Sequence, residues 1–139
     1  MPTGDRILLV DDDTNIRKIL SLILGDAGYV VDTAESGKEA IAKSDANSYN
    51  LAVVDVRLGD MECTKLLSRL YETRPRMMKI VLTGYPLSED ALRTLSQGVD
   101  GYLAKPVKSD QLLKTVNNLL ERQTKETATV LPSNTLTDT

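Results

Sequence analysis

The sequence predicts an α/β domain in which a parallel β-sheet carries helices on both faces. Five short apolar runs, most of them rich in β-branched residues, alternate with segments of helical spacing. Parallel strands need crossover connections, which are usually helices. A chain of 139 residues with 41% hydrophobic composition suits one domain with a normal core. Because ligands bind at the carboxyl ends of the strands in such sheets, we expect the functional residues there.

The predicted strands are the apolar runs at residues 7–10, 29–31, 51–54, 79–82 and 102–104. The first predicted helix repeats apolar residues three and four positions apart from Ile16, and it ends before Gly28, which suits the position after a helix. The second begins at Ser36, and Glu39 three residues later completes a capping-box pattern. The third ends at Pro75, because the residue before proline disfavours helical geometry.

Two further helices complete the predicted alternation. The fourth begins at Ser88 with acidic residues in its first turn, and the fifth begins near Ser109 with leucine and valine on one face. Beyond Arg122 the chain is rich in threonine and has little apolar periodicity. We therefore predict a domain over residues 1–122 and a disordered tail over residues 123–139.

The composition excludes several classes of protein. The chain has no histidine, so serine-histidine hydrolases and HExxH metalloproteases are excluded. Its single cysteine, Cys63, forbids an internal disulfide and favours a reducing compartment. A net charge of -3 without a basic block gives no electrostatic reason to bind nucleic acid or a membrane surface. Since neither a signal peptide nor an apolar run of about 20 residues is apparent, we expect a cytoplasmic protein.

Polar side chains follow four of the predicted strands. Asp11 and Asp12 follow the first strand and Asp55 follows the third, which should be its neighbour in the sheet. Close carboxylates repel by up to about 4 kcal/mol per pair at an effective dielectric constant near 20, so we expect a divalent cation such as Mg2+ among them. Thr83 and Lys105 follow the fourth and fifth strands, and their hydroxyl and ammonium groups suit the oxygens of a phosphoryl group.

Each of these features has a simpler interpretation when taken alone. The acidic run that starts at Asp11 could cap the first helix, and Asp55 could be an ordinary loop residue. Thr83 followed by glycine carries little information, and Lys105 followed by proline suggests a turn. The joint placement at successive strand ends is what makes the pattern specific.

Four segments in this order, "ILLVDDD", "AVVDVRLGD", "VLTG" and "YLAKP", resemble the receiver domain of two-component response regulators. The resemblance covers about residues 5–122. It implies a flavodoxin-like (βα)5 fold, which is a doubly wound, three-layer sandwich around five parallel strands in the order 2-1-3-4-5.

The resemblance also implies roles for the acidic residues. Asp55 matches the phospho-acceptor, which takes a phosphoryl group from a sensor histidine kinase or a phosphotransfer protein. Asp11 and Asp12 match the acidic pair that holds Mg2+ together with Asp55, and the backbone carbonyl of Arg57 is a further ligand.

The remaining motif residues match the parts of the family that respond to phosphorylation. Lys105 matches the lysine that pairs with the phosphoryl oxygens, and its bond to Pro106 is similar to the cis bond of the family. Thr83 matches the switch hydroxyl, and Tyr102 matches the aromatic residue whose rotamer follows it.

Two positions after the third strand depart from the family pattern. The family usually has proline four residues after the acceptor and glycine eight residues after it, whereas this chain has Gly59 and Cys63. These changes put the rigidity and path of the loop in question, because glycine loosens a backbone and cysteine resists positive φ.

The resulting expectation is a stand-alone, single-domain regulator without a DNA-binding output in this chain. We expect it to catalyse only its own phosphorylation and slow dephosphorylation, to contact a downstream protein, and to form a homodimer if phosphorylation exposes a suitable surface. An alternative is a phosphatase of the haloacid-dehalogenase kind with Asp11 as nucleophile, although Asn15 occupies its Thr/Val position. A third interpretation is a receiver-like binding module that never takes phosphate.

Overall fold

The structure, a computed structural model, describes residues 4–84 and 98–138, with side chains described as far as residue 125. The described residues contain five strands: β1 (Arg6–Val10), β2 (Val30–Ala34), β3 (Leu51–Asp55), β4 (Met78–Thr83) and β5 (Gly101–Ala104). They form one sheet in the order β2-β1-β3-β4-β5, and every neighbouring pair is parallel. The predicted flavodoxin-like strand order is therefore confirmed.

Four helices are described: α1 (Thr14–Asp26), α2 (Gly37–Ala46), α3 (Cys63–Thr73) and α4 (Ser109–Asp138). They match the first, second, third and fifth predicted helices, whereas the predicted helix from Ser88 lies outside the described residues. In the described part of the chain, no helix is both long enough and apolar enough to cross a membrane.

The core lies on both faces of the sheet, because successive strand residues point to opposite sides and the central strands are covered on both. On one face, Leu9 and Val53 belong to a buried cluster that includes residues of α1 and α4. On the other, Val10 and Val54 belong to a second cluster with residues of α2 and α3. All five residues of β3 are buried, which explains why an uninterrupted apolar run leads directly to Asp55.

Strand β2 is placed differently from its prediction. The apolar run suggested residues 29–31, but the strand spans Val30–Ala34. It is an edge strand whose second half includes Asp32 and Thr33, so apolar content does not reveal it. Asp32 is instead held by polar contacts, since its carboxylate accepts hydrogen bonds from Arg6 Nη2 at 3.0 Å and from the Tyr49 hydroxyl at 2.6 Å.

The helix ends follow the predicted capping patterns. Gly28 follows α1 with a φ of 101°, a conformation that glycine adopts without steric penalty. Ser36 is the N-cap of α2, and its side chain accepts a hydrogen bond from the Glu39 amide at 3.1 Å. The Glu39 carboxylate accepts from the amide of Glu35 at 2.8 Å, one residue before the partner expected in a capping box.

The last helix continues beyond the boundary that the sequence predicted at residue 122. Its backbone is helical as far as Asp138, where we predicted a disordered tail from residue 123. Gln123 Nε2 donates hydrogen bonds to the carbonyl oxygens of Asn50 at 3.0 Å and Arg76 at 2.8 Å. Contacts between a side-chain amide and backbone carbonyls produce no apolar periodicity, so the sequence pattern ends before the packed helix does.

Candidate functional site

The sheet register brings the predicted site residues to one edge. Because β1 lies beside β3 in parallel register, Asp11, at the end of β1, comes next to Asp55. Thr83 pairs with Ala104 across β4 and β5, and the backbone amide of Lys105 donates to the Thr83 carbonyl at 2.7 Å. The four side chains therefore project from successive strand ends, as the predicted topology requires.

Three carboxylates form an acidic cluster at this edge. Asp11, Asp12 and Asp55 each contribute an oxygen, and these oxygens lie within 4.8 Å of one another. Asp11 and Asp55 are buried, whereas Asp12 is exposed. Opposite ligands of an octahedral Mg2+ ion lie about 4.2 Å apart, so the three oxygens need only small adjustments to share an ion. The donor set is oxygen alone, which is the set that a hard divalent cation prefers.

One lysine partly neutralises this cluster. Lys105 Nζ lies 3.1 Å from Asp11 Oδ2 and 3.1 Å from Asp55 Oδ2. Burial opposes the charge of the ammonium, but the hydrogen bonds to the two carboxylates outweigh it and raise the pKa of Lys105. Burial raises the pKa of Asp11, against the hydrogen bonds that it accepts from Asp13 and Lys105. The ammonium of Lys105 thus offsets part of the negative charge of the three acidic residues, and a divalent cation would offset more of it.

The three consecutive aspartates, Asp11 to Asp13, make different contacts. Asp13 is the N-cap of α1, and its Oδ1 accepts hydrogen bonds from the amides of Asn15 at 2.9 Å and Ile16 at 3.1 Å. Asp11 Oδ1 accepts from the Asp13 amide at 2.9 Å, so the helix cap also orients the cluster. The capping interpretation of the acidic run therefore holds for Asp13, whereas Asp11 and Asp12 are part of the acidic cluster with Asp55.

The loop after β3 is held against the site by its backbone. The amide of Arg57 donates to Asp55 Oδ1 at 3.1 Å, and Arg57 pairs with Glu62 in an isolated antiparallel bridge. Neither Gly59 nor Cys63 has a positive φ, and Cys63 is the buried first residue of α3. Cys63 therefore begins α3 without the backbone conformation that favours glycine.

A comparison with protein-family models matches residues 7–117 to the response regulator receiver domain. The chain belongs to this family. The receiver domain is 42% identical to a solved CheY-like receiver domain protein from Methanospirillum hungatei, and the likeness covers 88% of this chain and 98% of that one with a TM-score of 0.83.

Curated relatives are longer than the receiver domain. The chain is 36% identical over 116 residues to the transcriptional regulatory protein GlrR of Escherichia coli, which covers 84% of this chain and 26% of that protein. It is 32% identical over 120 residues to the transcriptional regulatory protein TcrA of Mycobacterium tuberculosis, covering 86% of this chain and 47% of that protein. The chain thus spans about a quarter to a half of these two relatives.

The predicted switch residues of the receiver domain lie on β4 and β5. Thr83, at the end of β4, is partly buried and is bonded through its carbonyl to the backbone of Lys105. Tyr102 lies on β5 with 37% of its surface exposed. The peptide bond between Lys105 and Pro106 is cis, as the family resemblance implies.

Two residues near the site were not identified from the sequence. Arg17 Nη1 donates to the backbone carbonyl of Asp11 at 2.7 Å, and Arg17 Nη2 lies 3.3 Å from Thr14 Oγ1. The only local signal for these contacts is the position of Arg17 early in the first helix, just after the acidic run. Asp60 accepts hydrogen bonds from the backbone amides of Gly37 and Lys38, which lie 23 and 22 positions earlier in the sequence. The sequence contains no local signal for these contacts.

Proposed function

We propose that this receiver domain accepts a phosphoryl group on Asp55 and uses it to change a protein-binding surface. The main support is the position of Lys105 Nζ, 3.1 Å from a carboxylate oxygen of both Asp11 and Asp55, beside a cluster that can share a divalent cation. The arrangement combines a nucleophile, a fixed cation and an acidic metal site, which are the components that phosphoryl transfer needs.

In the proposed reaction, an Asp55 oxygen attacks the phosphorus atom of a phosphohistidine. The new P–O bond forms as the P–N bond to the imidazole breaks, which leaves an acyl phosphate and a neutral imidazole once the leaving nitrogen is protonated. Because this chain has no histidine, the donor is another molecule, a sensor kinase or a phosphotransfer protein. The chain modifies itself in this scheme and does not turn over a substrate.

The surrounding residues have defined parts in the proposal. Asp11, Asp12, Asp55 and the backbone carbonyl of Arg57 would hold Mg2+, which when bound supplies positive charge for the phosphoryl oxygens. Lys105 is already charged beside Asp55 and can donate hydrogen bonds to the same oxygens.

The output of the proposed reaction is a change in conformation. The phosphoryl group of an acyl phosphate carries about -1.5 to -2 charges where the carboxylate carried one, and a bias of a few kcal/mol is enough to make a minor state dominant. We expect Thr83 to move toward the phosphoryl oxygens and the exposed ring of Tyr102 to turn inward. The affected surface would include β5 and α4, and we expect it to contact a downstream protein or a second copy of the chain.

The nucleic-acid prediction concerns these 139 residues alone. Their net charge of -3 supports a protein partner over direct contact with DNA. Two longer relatives are transcriptional regulatory proteins by name, and the chain spans only part of each. A stand-alone role, like a cytoplasmic location, remains part of the proposal.

The acceptor is tested by incubating the chain with Mg2+ and acetyl phosphate and measuring its intact mass. We expect the mass of one phosphoryl group to be added to the wild type and to Asp13→Asn, since asparagine also caps helices, but not to Asp55→Asn. Labelling that is lost only in Asp11→Asn would support the phosphatase alternative. No labelling of any variant would support a module that works without phosphate.

The switch is tested by comparing the wild type with Thr83→Ala after labelling. We expect both to take the phosphoryl group, but only the wild type to show a large change in the ring NMR signals of Tyr102. Equal changes in the two proteins would contradict the proposed role of Thr83.

A further inference from the structure

The loop after β3 is anchored to a neighbouring helix by a carboxylate outside the acidic cluster. Asp60 Oδ1 accepts a hydrogen bond from the Gly37 amide at 2.8 Å, and Asp60 Oδ2 accepts one from the Lys38 amide at 2.9 Å. The hydrogen bond from Gly37, and next the one from Lys38, lower the pKa of the Asp60 carboxyl, so it is charged at neutral pH. Both oxygens are therefore engaged by backbone groups of α2.

Asp60 completes the hydrogen bonding of the first turn of α2. A helix begins with four amides that lack partners within the helix. Here the Glu39 amide donates to the Ser36 side chain at 3.1 Å. The Ala40 amide makes the first regular helical hydrogen bond, to the Ser36 carbonyl at 3.0 Å. The first two amides, those of Gly37 and Lys38, are satisfied by Asp60. The loop after β3 therefore supplies the part of the cap that α2 does not provide for itself.

A second contact fixes the same loop against α2. Met61 lies so close to Gly37 that a Cβ atom added to the glycine would come within 2.5 Å of the Met61 Cγ and Sδ atoms. The absence of a side chain at Gly37 thus creates the space for Met61. Two consecutive loop residues, Asp60 and Met61, contact the first residue of α2 from the loop side.

This loop also carries the backbone of Arg57, whose amide is bonded to the Asp55 carboxylate. Between β3 and α3 the loop has only seven residues, 56–62, and it contains Gly59, which itself restricts the backbone little. A Cβ atom at Gly59 would meet nothing within 4 Å, so packing does not restrain that residue either. The Arg57–Glu62 bridge and the packing of Val56 and Leu58 against the core restrain the loop near Arg57. Around Gly59 the described restraints come from the contacts of Asp60 and Met61 with α2 rather than from the residue at position 59.

We propose that Asp60 is a positioning residue that sets the Mg2+ affinity of the acidic site by anchoring the Arg57 backbone to α2. This inference rests on the proposed function in one respect, the use of the Arg57 carbonyl as a metal ligand. Without the anchor, Mg2+ binding would have to order the part of the loop that Asp60 now holds. We expect Asp60→Ala to bind Mg2+ about tenfold more weakly, the factor that corresponds to ordering the backbone of about one residue.

The test measures Mg2+ binding alone, from the shift of the Arg57 amide NMR signal during a titration with the metal. Asp60→Asn keeps one oxygen acceptor and should lose about two- to threefold in affinity, between wild type and Asp60→Ala. Gly37→Ala displaces Met61 while keeping the Asp60 carboxylate and should also weaken binding. Asp26→Ala is the control, because it removes one exposed carboxylate at the far end of α1 and should leave the affinity unchanged.

Two further measurements separate a positioning role from simple stabilisation. Hydrogen exchange of the Gly37 and Lys38 amides should accelerate in Asp60→Ala, which shows that the anchor has been broken. If that variant melts at a lower temperature but binds Mg2+ as tightly as the wild type, Asp60 is only a helix cap and the proposal is wrong.

The same experiments distinguish this proposal from the proposed function. If wild type binds Mg2+ and Asp60→Ala binds it more weakly, the anchor is supported even when acetyl phosphate labels neither protein. If the wild type does not bind Mg2+, the anchor proposal is overturned as well.

Discussion

Replacing Lys105 with methionine removes the ammonium from the acidic cluster while keeping a side chain of similar length. The ammonium is 3.1 Å from oxygens of both Asp11 and Asp55, and the lysine side chain is 21% exposed. At this distance and an effective dielectric constant of about 20, each attraction is worth about 5 kcal/mol before desolvation is counted. Desolvation of the buried ammonium offsets several kcal/mol of this sum, so we expect Lys105→Met to lower the free energy of unfolding by about 3 kcal/mol.

This loss should depend on the metal. Mg2+ neutralises the same carboxylates, so we expect the destabilisation to fall to about 1 kcal/mol or less at saturating Mg2+. Urea unfolding followed by circular dichroism, in EDTA and in Mg2+, measures both values. Lys108→Met is the matched control, because it removes a positive charge from an exposed residue and should change stability by less than about 0.5 kcal/mol in either buffer.

The prediction fails in two ways that have different meanings. A loss below about 1 kcal/mol in EDTA would mean that Lys105 does not neutralise the carboxylates of Asp11 and Asp55. A large loss that Mg2+ does not reduce would mean that the ion binds elsewhere, and the proposed metal site would be wrong.

Three further predictions concern titration and backbone conformation. Burial, and next its hydrogen bond to Asp32, raise the pKa of Tyr49 to about 12. The neutral Tyr49 hydroxyl therefore contributes to the stability of the fold below pH 10, and this contribution is lost as the pH rises through about 12. A tyrosine absorbance titration should show this late step in wild type, and its persistence in Tyr49→Phe would contradict the assignment. Burial raises the pKa of Cys63 to about 12, so little of the reactive thiolate is present at pH 8. A thiol reagent should therefore modify Cys63 at least ~1000-fold more slowly in the native than in the denatured chain. Comparable rates would refute this. Gly59→Ala should stabilise the fold by about 0.4–1 kcal/mol, because there is open space around Gly59 and its φ is not positive. Gly98→Ala should destabilise the fold by about 1–2 kcal/mol, because Gly98 has a φ of 81°. Equal changes of the two variants in urea unfolding would contradict this.

The placement of the strand-end residues was predictable because all strands of a parallel sheet end at the same edge. Asp11, Asp55, Thr83 and Lys105 each follow an apolar run, and the carboxyl ends of parallel strands meet at one edge. The role of Asp60 was not predictable in this way, since its partners belong to the start of a different helix.

The observed bounds of β2 and α4 differ from the predicted ones because both elements are held in part by polar contacts. The second half of β2 includes the polar residues Asp32 and Thr33, and Asp32 is held by Arg6 and Tyr49 rather than by an apolar run. The continuation of α4 is anchored in part by amide hydrogen bonds from Gln123. Periodicity reports apolar burial, so elements that are held by polar contacts extend beyond what it predicts.

The sequence by itself determined the class of sheet, the residue types at its functional edge and the absence of histidine in the chain. These properties depend on local composition and on the order of the segments. Tertiary structure decided which aspartate caps α1, how close the carboxylates lie and where Lys105 places its charge. The contact between Lys105 and Asp11 joins residues 94 positions apart, and only the packing of the whole sheet brings two such distant side chains within 3.1 Å.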